Sequence, residues 1–183
     1  MLFSHDTEVS LAETAALVNT VGLDGDTLVT LADLDRFLAQ YPYSGAIHKT
    51  PEELESLRAL RPRLRKFWMI EDRDEAAVLV NEILAEADAR PYLSRHDEWD
   101  WHMHVTRPDA PLADRIAAEA AMAFLDLTRS DALGRLRICA AEDCDDVLID
   151  LSKNSSKRYC TTGNCGNRTN VAAYRARKRL QSA

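Results

Sequence analysis

The sequence predicts an α+β protein: a mainly helical N-terminal domain with a small antiparallel sheet, followed by a treble-clef-like zinc module with a basic C-terminal helix. Three observations support this prediction. Apolar residues recur at helical spacing through most of the first 130 positions, all four cysteines fall within the last 45, and the last 33 contain eight lysines and arginines but no acid. We expect two domains, over residues 1–135 and 136–183.

The composition is that of a globular protein. With 183 residues, of which 46% are hydrophobic, the chain can bury a core, so wholesale disorder is not expected. No stretch approaches the roughly 18 consecutive apolar residues of a membrane-spanning helix. The first ten residues, MLFSHDTEVS, lack the basic and apolar segments of a secretory signal. These features predict a soluble cytoplasmic protein with no membrane partner.

Charge is divided unevenly along the chain. The net charge is −11 over residues 1–136, −4 over 137–150 and +8 over 151–183. A basic tail on an acidic body favours a polyanionic partner. A solvated terminal helix is the alternative explanation of the same charges.

Two short helices joined by a turn are predicted at the N-terminus. Ser10 and Glu13 have the spacing of a capping box, so we expect the first helix to begin there. GLDGDT (22–27) indicates a turn. Thr30 is expected to cap the second helix. The residues of this second helix predicted to face inward are Leu31, Leu34, Phe37 and Leu38.

Three longer helices are predicted next. Thr50 and Pro51 mark the start of one, and Pro62 should kink or split it because proline lacks an amide hydrogen. Another is predicted over Glu75–Ala89, and the third, over 111–130, has the clearest apolar stripe. The predicted inward residues are Leu54, Leu57, Leu60, Leu64, Phe67 and Trp68 on the first, Val78, Leu79, Ile83 and Leu84 on the second, and Leu112, Ile116, Ala120, Phe124 and Leu127 on the third.

The segment between the last two helices predicts a strand. Trp99, Trp101, Met103 and Val105 alternate there with polar residues, and residues 92–96 are expected to pair with them as a hairpin.

Histidines and tryptophans of this region leave a ligand site open. A metal or ligand site could be formed by His96, His102 and His104, although such residues more often line a half-buried sheet. The three tryptophans could line a small-molecule pocket, although packing in the core is favoured for them; they are Trp68, Trp99 and Trp101.

The four cysteines predict a structural zinc site. Their pattern is C-x4-C-x15-C-x4-C, formed by Cys139, Cys144, Cys160 and Cys165. Two matched pairs suit one tetrahedral zinc ion, and a chain without a secretory signal makes disulfides a weaker alternative. Four thiolates leave no position for a reactive water, so we expect one structural zinc per chain and no metal-based catalysis. No nucleophile–base pair or phosphate-binding loop is evident either, so an enzyme is not expected.

The chain between the cysteine pairs predicts a hairpin followed by a helix. VLIDLS (147–152) has the pattern of a short strand, NSSK (154–157) indicates a turn, and Cys165 is expected in the first turn of the last helix. Lys157, Arg158 and Arg168 are expected to offset the negative charge of the zinc–thiolate cluster.

These residues resemble the bacterial CGNR zinc finger family. The resemblance covers roughly residues 136–180 and rests on the sequence Cys165-Gly166-Asn167-Arg168 together with the preceding cysteines. It also includes Asp150, Ser152, Asn154, Lys157, Arg158, Tyr159 and the basic segment AAYRARKR (172–179).

The upstream segment LAETAALVNT (11–20) resembles the start of the ABATE domain, the companion of that finger. Together the two resemblances imply a stress-induced transcription regulator whose finger binds DNA. Two departures from the family pattern are the acids Asp145 and Asp146, which argue against a nucleic-acid contact at that edge, and Leu148, where an aromatic residue is common.

Arginines on the last helix are the main candidates for DNA contacts. Arg168, Arg175 and Arg179 are spaced on one face, whereas Val171 and Tyr174 are expected to pack on the zinc knuckle. Asn167 and Arg168 could brace the knuckle instead of meeting DNA, and bracing is favoured for both. The full set of nucleic-acid-binding candidates is Lys153, Lys157, Arg158, Arg168, Arg175, Lys178 and Arg179.

The leading hypothesis is therefore a DNA-binding transcription regulator whose N-terminal domain senses a small-molecule effector or forms a homodimer. The alternatives are a zinc-stabilised adaptor that binds another protein, and a small-ligand-binding protein in which zinc is purely structural.

Overall fold

The computed structural model describes residues 2–95 and 100–181. In these residues the fold is α+β, as the sequence predicts, with helices that build the body and three small antiparallel hairpins. The helices are α1 (His5–Val18), α2 (Leu31–Gln40), α3 (Pro51–Arg65), α4 (Arg73–Glu86), α5 (Leu112–Arg129) and α6 (Cys165–Gln181). The strands are β1 (Val21–Gly22), β2 (Gly25–Asp26), β3 (Tyr92–Ser94), β4 (His102–His104), β5 (Leu136–Ile138) and β6 (Val147–Ile149).

Helix α5 lies at the centre of the body and packs against α1, α3 and α4. Its predicted apolar stripe is confirmed, because every member of that stripe is buried. Phe124 stacks on Phe67 with ring centroids 3.8 Å apart, and Trp68 meets Phe124 edge-on at 5.4 Å. These three rings occupy the interior beside the C-terminal module, so the core reaches directly to the candidate site.

The start of α1 differs from the sequence prediction. The helix begins at His5, nearly two turns earlier than expected, and the Ser4 hydroxyl accepts a hydrogen bond from the amide of Thr7 at 3.3 Å. The capping box predicted at Ser10 and Glu13 is therefore wrong. Ser10 lies inside the helix, where its carbonyl accepts from the Thr14 hydroxyl, because the capping hydroxyl of Ser4 is available upstream.

The starts of α2 and α3 are confirmed. Thr30 forms a capping box with Asp33, and the Thr50 hydroxyl accepts from the amide of Glu53. Leu31, predicted to face inward, is exposed on the first turn of α2. Helix α3 is not split, because it continues through Pro62 to Arg65.

Helix α4 begins and ends earlier than predicted. It starts after Asp72, which caps it, and Val78 is 57% exposed instead of facing the core. The buried face uses Ala76 and Val80 beside Leu79 and Ile83. Val78 and Val80 are two positions apart, about 200° around the helix, so they lie on nearly opposite sides, and here Val80 faces the core.

The predicted pairing of the Trp/His segment with the chain near residue 92 is confirmed by the β3–β4 hairpin. The expected orientation is wrong in part, because Trp101 is 63% exposed and Met103 42% exposed, while His102 and His104 are half-buried. Trp68 is buried, as predicted. The predictions for His96 and Trp99 lie outside the described residues.

Among the residues that the structure describes, no helix combines the length and the apolar character that crossing a lipid bilayer requires.

The β5–β6 hairpin connects the helical body to the C-terminal module. Val147 and Ile149 join the core of the body, whereas Leu148 points into a second apolar cluster formed around the cysteines. The alternation of side chains along a strand allows β6 to serve both clusters at once. The division into domains at residue 135 stays a prediction.

Candidate metal centre and nucleic-acid interface

The four cysteines converge from the turn between β5 and β6, from the loop after β6 and from the start of α6. Cys139 directly follows β5, Cys144 precedes β6, Cys160 lies in the loop after β6, and Cys165 begins α6. Their sulfur atoms all lie within 4.8 Å of one another. Cys160 Sγ is 3.7 Å from Cys144 Sγ and 3.5 Å from Cys165 Sγ. A zinc–sulfur bond of about 2.3 Å places the sulfurs of a tetrahedral site about 3.8 Å apart, so the cluster fits one structural zinc ion.

Hydrogen bonds orient the sulfurs. The amide of Cys160 donates to Cys139 Sγ at 3.4 Å, and Arg168 donates to Cys165 Sγ at 3.3 Å. The Arg168 contact lowers the pKa of the Cys165 thiol, whereas burial raises the pKa of the Cys144 and Cys160 thiols. A divalent cation supplies the charge that allows all four groups to be thiolates together.

The path of the chain between the cysteine pairs differs from the predicted hairpin. The strand predicted from VLIDLS is present as β6, but it pairs with β5, upstream of Cys139. The first cysteine pair therefore lies in the turn of the hairpin. Residues 150–157 form no return strand, and the amides of Ser152 and Lys157 donate instead to the carboxylate of Asp150.

Asp150 organises this segment from a fully buried position. Its Oδ1 accepts from the amide and the hydroxyl of Ser152, at 3.0 and 2.5 Å. Its Oδ2 accepts from the amide of Lys157 at 2.8 Å and pairs with Arg137 at 3.1 Å. Although burial raises the pKa of Asp150, these hydrogen bonds and the Arg137 charge hold it below its ordinary value. Asp150 thus carries its charge and shapes the loop that leads to Cys160.

Of the two acids that depart from the family pattern, Asp145 contacts the helical body through its side chain, and Asp146 forms a backbone hydrogen bond within the knuckle. Asp145 Oδ1 accepts from the amide of Leu23 at 3.2 Å, and Arg65 donates to both the carbonyl and the Oδ2 of Asp145. The carbonyl of Asp146 accepts from the amide of Cys139 at 2.8 Å. The contacts of Asp145 direct this edge of the knuckle toward the body.

Sequence reasoning missed two residues that connect the body to β6. The side-chain amide of Asn19 donates to the carbonyl of Val147 at 2.8 Å and accepts from its amide at 2.7 Å, as a neighbouring strand would. The indole of Trp68 donates to the carbonyl of Leu148 at 2.9 Å. Asn19 belongs to the Val-Asn-Thr segment that carries the resemblance, but a single sequence gives no signal for its partner.

Arg168 is engaged in bracing the knuckle. In addition to Cys165, its guanidinium contacts both carboxylate oxygens of Asp143, at 2.8 and 3.2 Å. At Gly166 a Cβ atom would lie 3.3 Å from the ring of Tyr159, so glycine allows the start of α6 to approach that ring closely. Both residues hold the first turn of α6 against the metal cluster.

Beyond that first turn, α6 is surrounded by solvent. Cys165 is the one buried residue of the helix. Val171 is 37% exposed and Tyr174 60% exposed, so the expectation that they pack on the knuckle is wrong. The cluster around the cysteines is too small to reach a residue two turns along the helix.

Apart from Arg168, the candidate DNA contacts lie in two groups. Arg175, Lys178 and Arg179 are exposed on α6. Lys153, Lys157 and Arg158 lie on the loop between β6 and Cys160, where the Arg158 guanidinium lies 5.9 Å from the Tyr159 ring centre. Whether any of the seven candidates contacts DNA stays a prediction.

A helical body joined to a four-cysteine zinc module defines the chain as a zinc-finger protein with an N-terminal companion domain. Residues 14–131 match the ABATE family, whose description is "Putative stress-induced transcription regulator", and residues 135–178 match the CGNR zinc finger. Because the first match covers more than half of the sequence, the chain belongs to the ABATE family. That description names a transcription regulator and no enzymatic activity. A comparison with curated proteins gave no match.

Proposed function

We propose that this protein is a transcription regulator that binds DNA through the zinc module and α6, while the helical body senses a signal or forms a homodimer. The observation that carries the proposal is the exposed, basic α6. It has 17 residues, five of them lysine or arginine and none acidic, and it extends away from a metal-anchored first turn.

The dimensions of α6 suit a duplex. At about 1.5 Å per residue the helix is about 25 Å long, and an α-helix fits the major groove of B-DNA. Arg175 and Arg179 lie one turn apart, so both reach toward the same side. Guanidinium groups pair with phosphates and with guanine edges, which are the two kinds of contact that such a helix needs.

The negative charge of the helical body also favours binding of DNA at α6. Residues 1–136 carry a net charge of −11, so a polyanion repels the body and is attracted by the tail. The zinc ion stabilises the base of α6 and takes no part in chemistry, because four thiolates fill its coordination sphere.

Genomic footprinting of the tagged full-length protein tests the proposal. We expect protected sites to be lost in the double variant Arg175→Ala, Arg179→Ala. The matched control is Arg36→Ala together with Arg90→Ala, which removes two exposed arginines from the body and should retain the footprint. Absence of any protected site for the wild-type protein, with no DNA binding at low salt in vitro, would overturn the proposal.

One observation favours a second candidate, an adaptor that binds another protein. Val171, Tyr174 and Leu180 are exposed on α6, and exposed apolar side chains on a helix can dock in a groove of a partner. The variant Tyr174→Ser separates the two functions. It should leave salt-dependent DNA binding intact if α6 reads DNA through arginine, and it should abolish association if α6 binds a protein groove.

A further inference from the structure

A solvent-accessible cavity of 310 Å³ lies in the helical body, and none of its described walls comes from the cysteine module. The walls are parts of α1, α5, β4 and the segment around Tyr43, with His102 and His104 on the β4 side. Among the described residues that line it there is no lysine or arginine. Pockets for small molecules have volumes of about 300–1,000 Å³, so this cavity suits a ligand at the small end of that range.

Helices α1 and α5 present carboxyl groups to the cavity at equal spacing. Asp6 and Glu13 are seven residues apart on α1, and Glu119 and Asp126 are seven residues apart on α5. Seven residues make nearly two turns, so each pair lies on one face of its helix, about 10.5 Å apart along the axis. The Thr7 hydroxyl donates to Asp126 Oδ2 at 2.6 Å, which joins the start of α1 to the end of α5. Asp6 therefore lies at the Asp126 end of the cavity, and Glu13 lies at the Glu119 end.

At one end, Glu13 and Glu119 are half-buried carboxyl groups without a cation of their own in the cavity. Burial, and then the charge of Glu119, raise the pKa of Glu13 to about 7. Burial raises the pKa of Glu119 to about 7 as well, against the charges of Arg115 and His102, which lower it. The guanidinium of Arg115 is directed elsewhere, because its nitrogens donate to backbone carbonyls. A ligand cation at this end would replace the charge that the protein does not supply.

At the other end, Asp126 keeps an oxygen for a ligand. Its Oδ2 accepts from Thr7, whose hydroxyl oxygen is also 2.9 Å from that of Ser4. Among the described residues, none donates a hydrogen bond to Asp126 Oδ1. Because Asp6 lines the same end, a cation there meets two carboxyl groups.

The wall between the two acidic ends is mostly apolar. Val9 lies between the acids of α1, and Met122 and Ala123 lie between those of α5. Met103 and Val105 of the β4 segment add to the same wall. Methylene groups can be buried there, whereas a charge at this position would lose its water without gaining a partner.

We propose that this cavity binds one linear aliphatic diamine, with one ammonium group at the Glu13–Glu119 end and the other at the Asp126 end. An extended chain advances about 1.2 Å per bond, so five or six methylene groups hold the two nitrogens about 7–8 Å apart. This separation leaves room for hydrogen bonds to carboxyl groups that start about 10.5 Å apart along the helices. As the signal of the regulator, the diamine rests on the function proposed above; its binding in the cavity does not.

Calorimetric titration of the zinc-loaded, full-length protein with the series from diaminopropane to diaminooctane tests the site. We expect one diamine to bind per chain, and the tightest binding for diaminopentane or diaminohexane. Hexylamine keeps one ammonium group and hexanediol keeps none, so each should bind at least about 10-fold more weakly than diaminohexane.

Two variants test the two ends separately. Glu119→Gln and Asp126→Asn should each weaken diaminopentane binding at least about 10-fold, because each removes the charge at one end. An asparagine carbonyl can still accept from Thr7, so the second variant keeps the contact between α1 and α5. The matched control is Glu71→Gln, an exposed acid just before α4, which should leave the affinity unchanged.

The proposal is overturned if no diamine binds, or if hexylamine binds as tightly as diaminohexane. It is also overturned if Glu71→Gln weakens binding as much as the two cavity variants, because the diamines would then bind the acidic surface as a whole. The titrations contain no DNA, so a protein that fails to bind DNA would still give these results, and the two proposals can fail separately.

Discussion

At the scale of single residues, Asn19 connects the helical body to β6. Its amide forms two hydrogen bonds, of 2.7 and 2.8 Å, with the backbone of Val147, which is itself buried. A hairpin of two three-residue strands has unpaired backbone groups at its edge, and water cannot reach the ones on this side. Asn19 satisfies them from the end of α1.

Replacement of Asn19 by alanine should destabilise the protein by about 2–6 kcal/mol, because two buried backbone groups then lack partners and each costs about 1–3 kcal/mol. Denaturant unfolding of the zinc-loaded protein measures the change. Asn170→Ala, on the exposed surface of α6, is the matched control and should change the stability by less than about 0.5 kcal/mol. Equal effects of the two substitutions would show that the contact with β6 contributes nothing.

Glu13 connects stability to pH. Burial, and then the charge of Glu119, raise the pKa of Glu13 from 4.5 to about 7, against a hydrogen bond from Tyr43 that lowers it. Between pH 4.5 and about 7, Glu13 holds a proton in the folded protein that it has released in the unfolded chain. Stability therefore falls as pH rises from about 4.5 to 7, and the loss is complete above 7.

Replacement of Glu13 by glutamine removes this titration and keeps a group that can accept from Tyr43. We expect the variant to be about 1–2 kcal/mol more stable than the wild type at pH 8, and nearly equal to it at pH 4.5. Thermal unfolding across that range measures the difference. A stabilisation that is the same at both pH values would contradict the raised pKa of Glu13.

At the scale of elements, sequence periodicity predicted the helices well because each one buries a stripe on a shared core. Its errors have local causes. Ser10 and Glu13 matched a capping pattern, but Ser4 provided an earlier cap. Val78 lies on the side of α4 opposite Val80, and Val80 is the one that is buried. The cysteines were predictable because metal geometry requires a fixed set of ligands, whereas the packing of β6 on the helical body depends on contacts more than 100 residues distant, such as the one with Asn19.

The zinc module is the element most dependent on its ligands. Its apolar cluster consists of the four cysteines with Ala141, Leu148 and Tyr159. Without metal, few apolar contacts remain to hold the first turn of α6. We expect Cys160→Ser to lose the one zinc ion per chain and the helical signal of α6, while α1 to α5 stay folded. Elemental analysis and circular dichroism measure the two losses.

Removal of Cys160 and Cys165 together is the stricter version of the same test, because it leaves two thiols at most. Full zinc occupancy in that double variant would rule out the four-cysteine site. Lost zinc with a retained helix would show instead that α6 is held by something other than the metal cluster.

At the scale of the whole molecule, the boundary between the two predicted domains is crossed by the core. Leu136, Val147 and Ile149 are buried among residues of the helical body. The site at the cysteines and the cavity at His102 are joined through α1, which carries Glu13 on the cavity and is followed by Asn19 at β6. Composition alone could not reveal this connection, since it depends on where two distant segments meet.

Truncation after residue 135 tests the two-domain division directly. Loss of the three buried side chains of the hairpin, worth about 1.5–3 kcal/mol each, should lower the stability substantially. If residues 1–135 are a domain, the fragment still unfolds cooperatively, with a lower midpoint than the intact protein. A molten fragment without a cooperative transition would show that the body and the hairpin are a single folding unit.

The proposed DNA interface should be recognisable by its response to salt. Cations that meet phosphates release condensed counterions, so the logarithm of the binding constant falls linearly with the logarithm of the salt concentration. If about four of the eight cations in residues 151–183 contact phosphates, the slope is about −3 to −4. Arg175→Ala and Arg179→Ala should each reduce its magnitude by about one without loss of zinc, provided that each meets a phosphate.

An arginine that reads a guanine edge gives a different result from one that meets a phosphate. Its loss lowers the discrimination between sequences by about 1–3 kcal/mol. Gel shifts of each variant on two duplexes of different sequence, across a salt series, separate the two roles. Arg36→Ala, on the acidic body, should leave both the slope and the discrimination unchanged, because that surface repels the polyanion. A slope that responds equally to all three substitutions would mean that net charge, and not α6, determines binding.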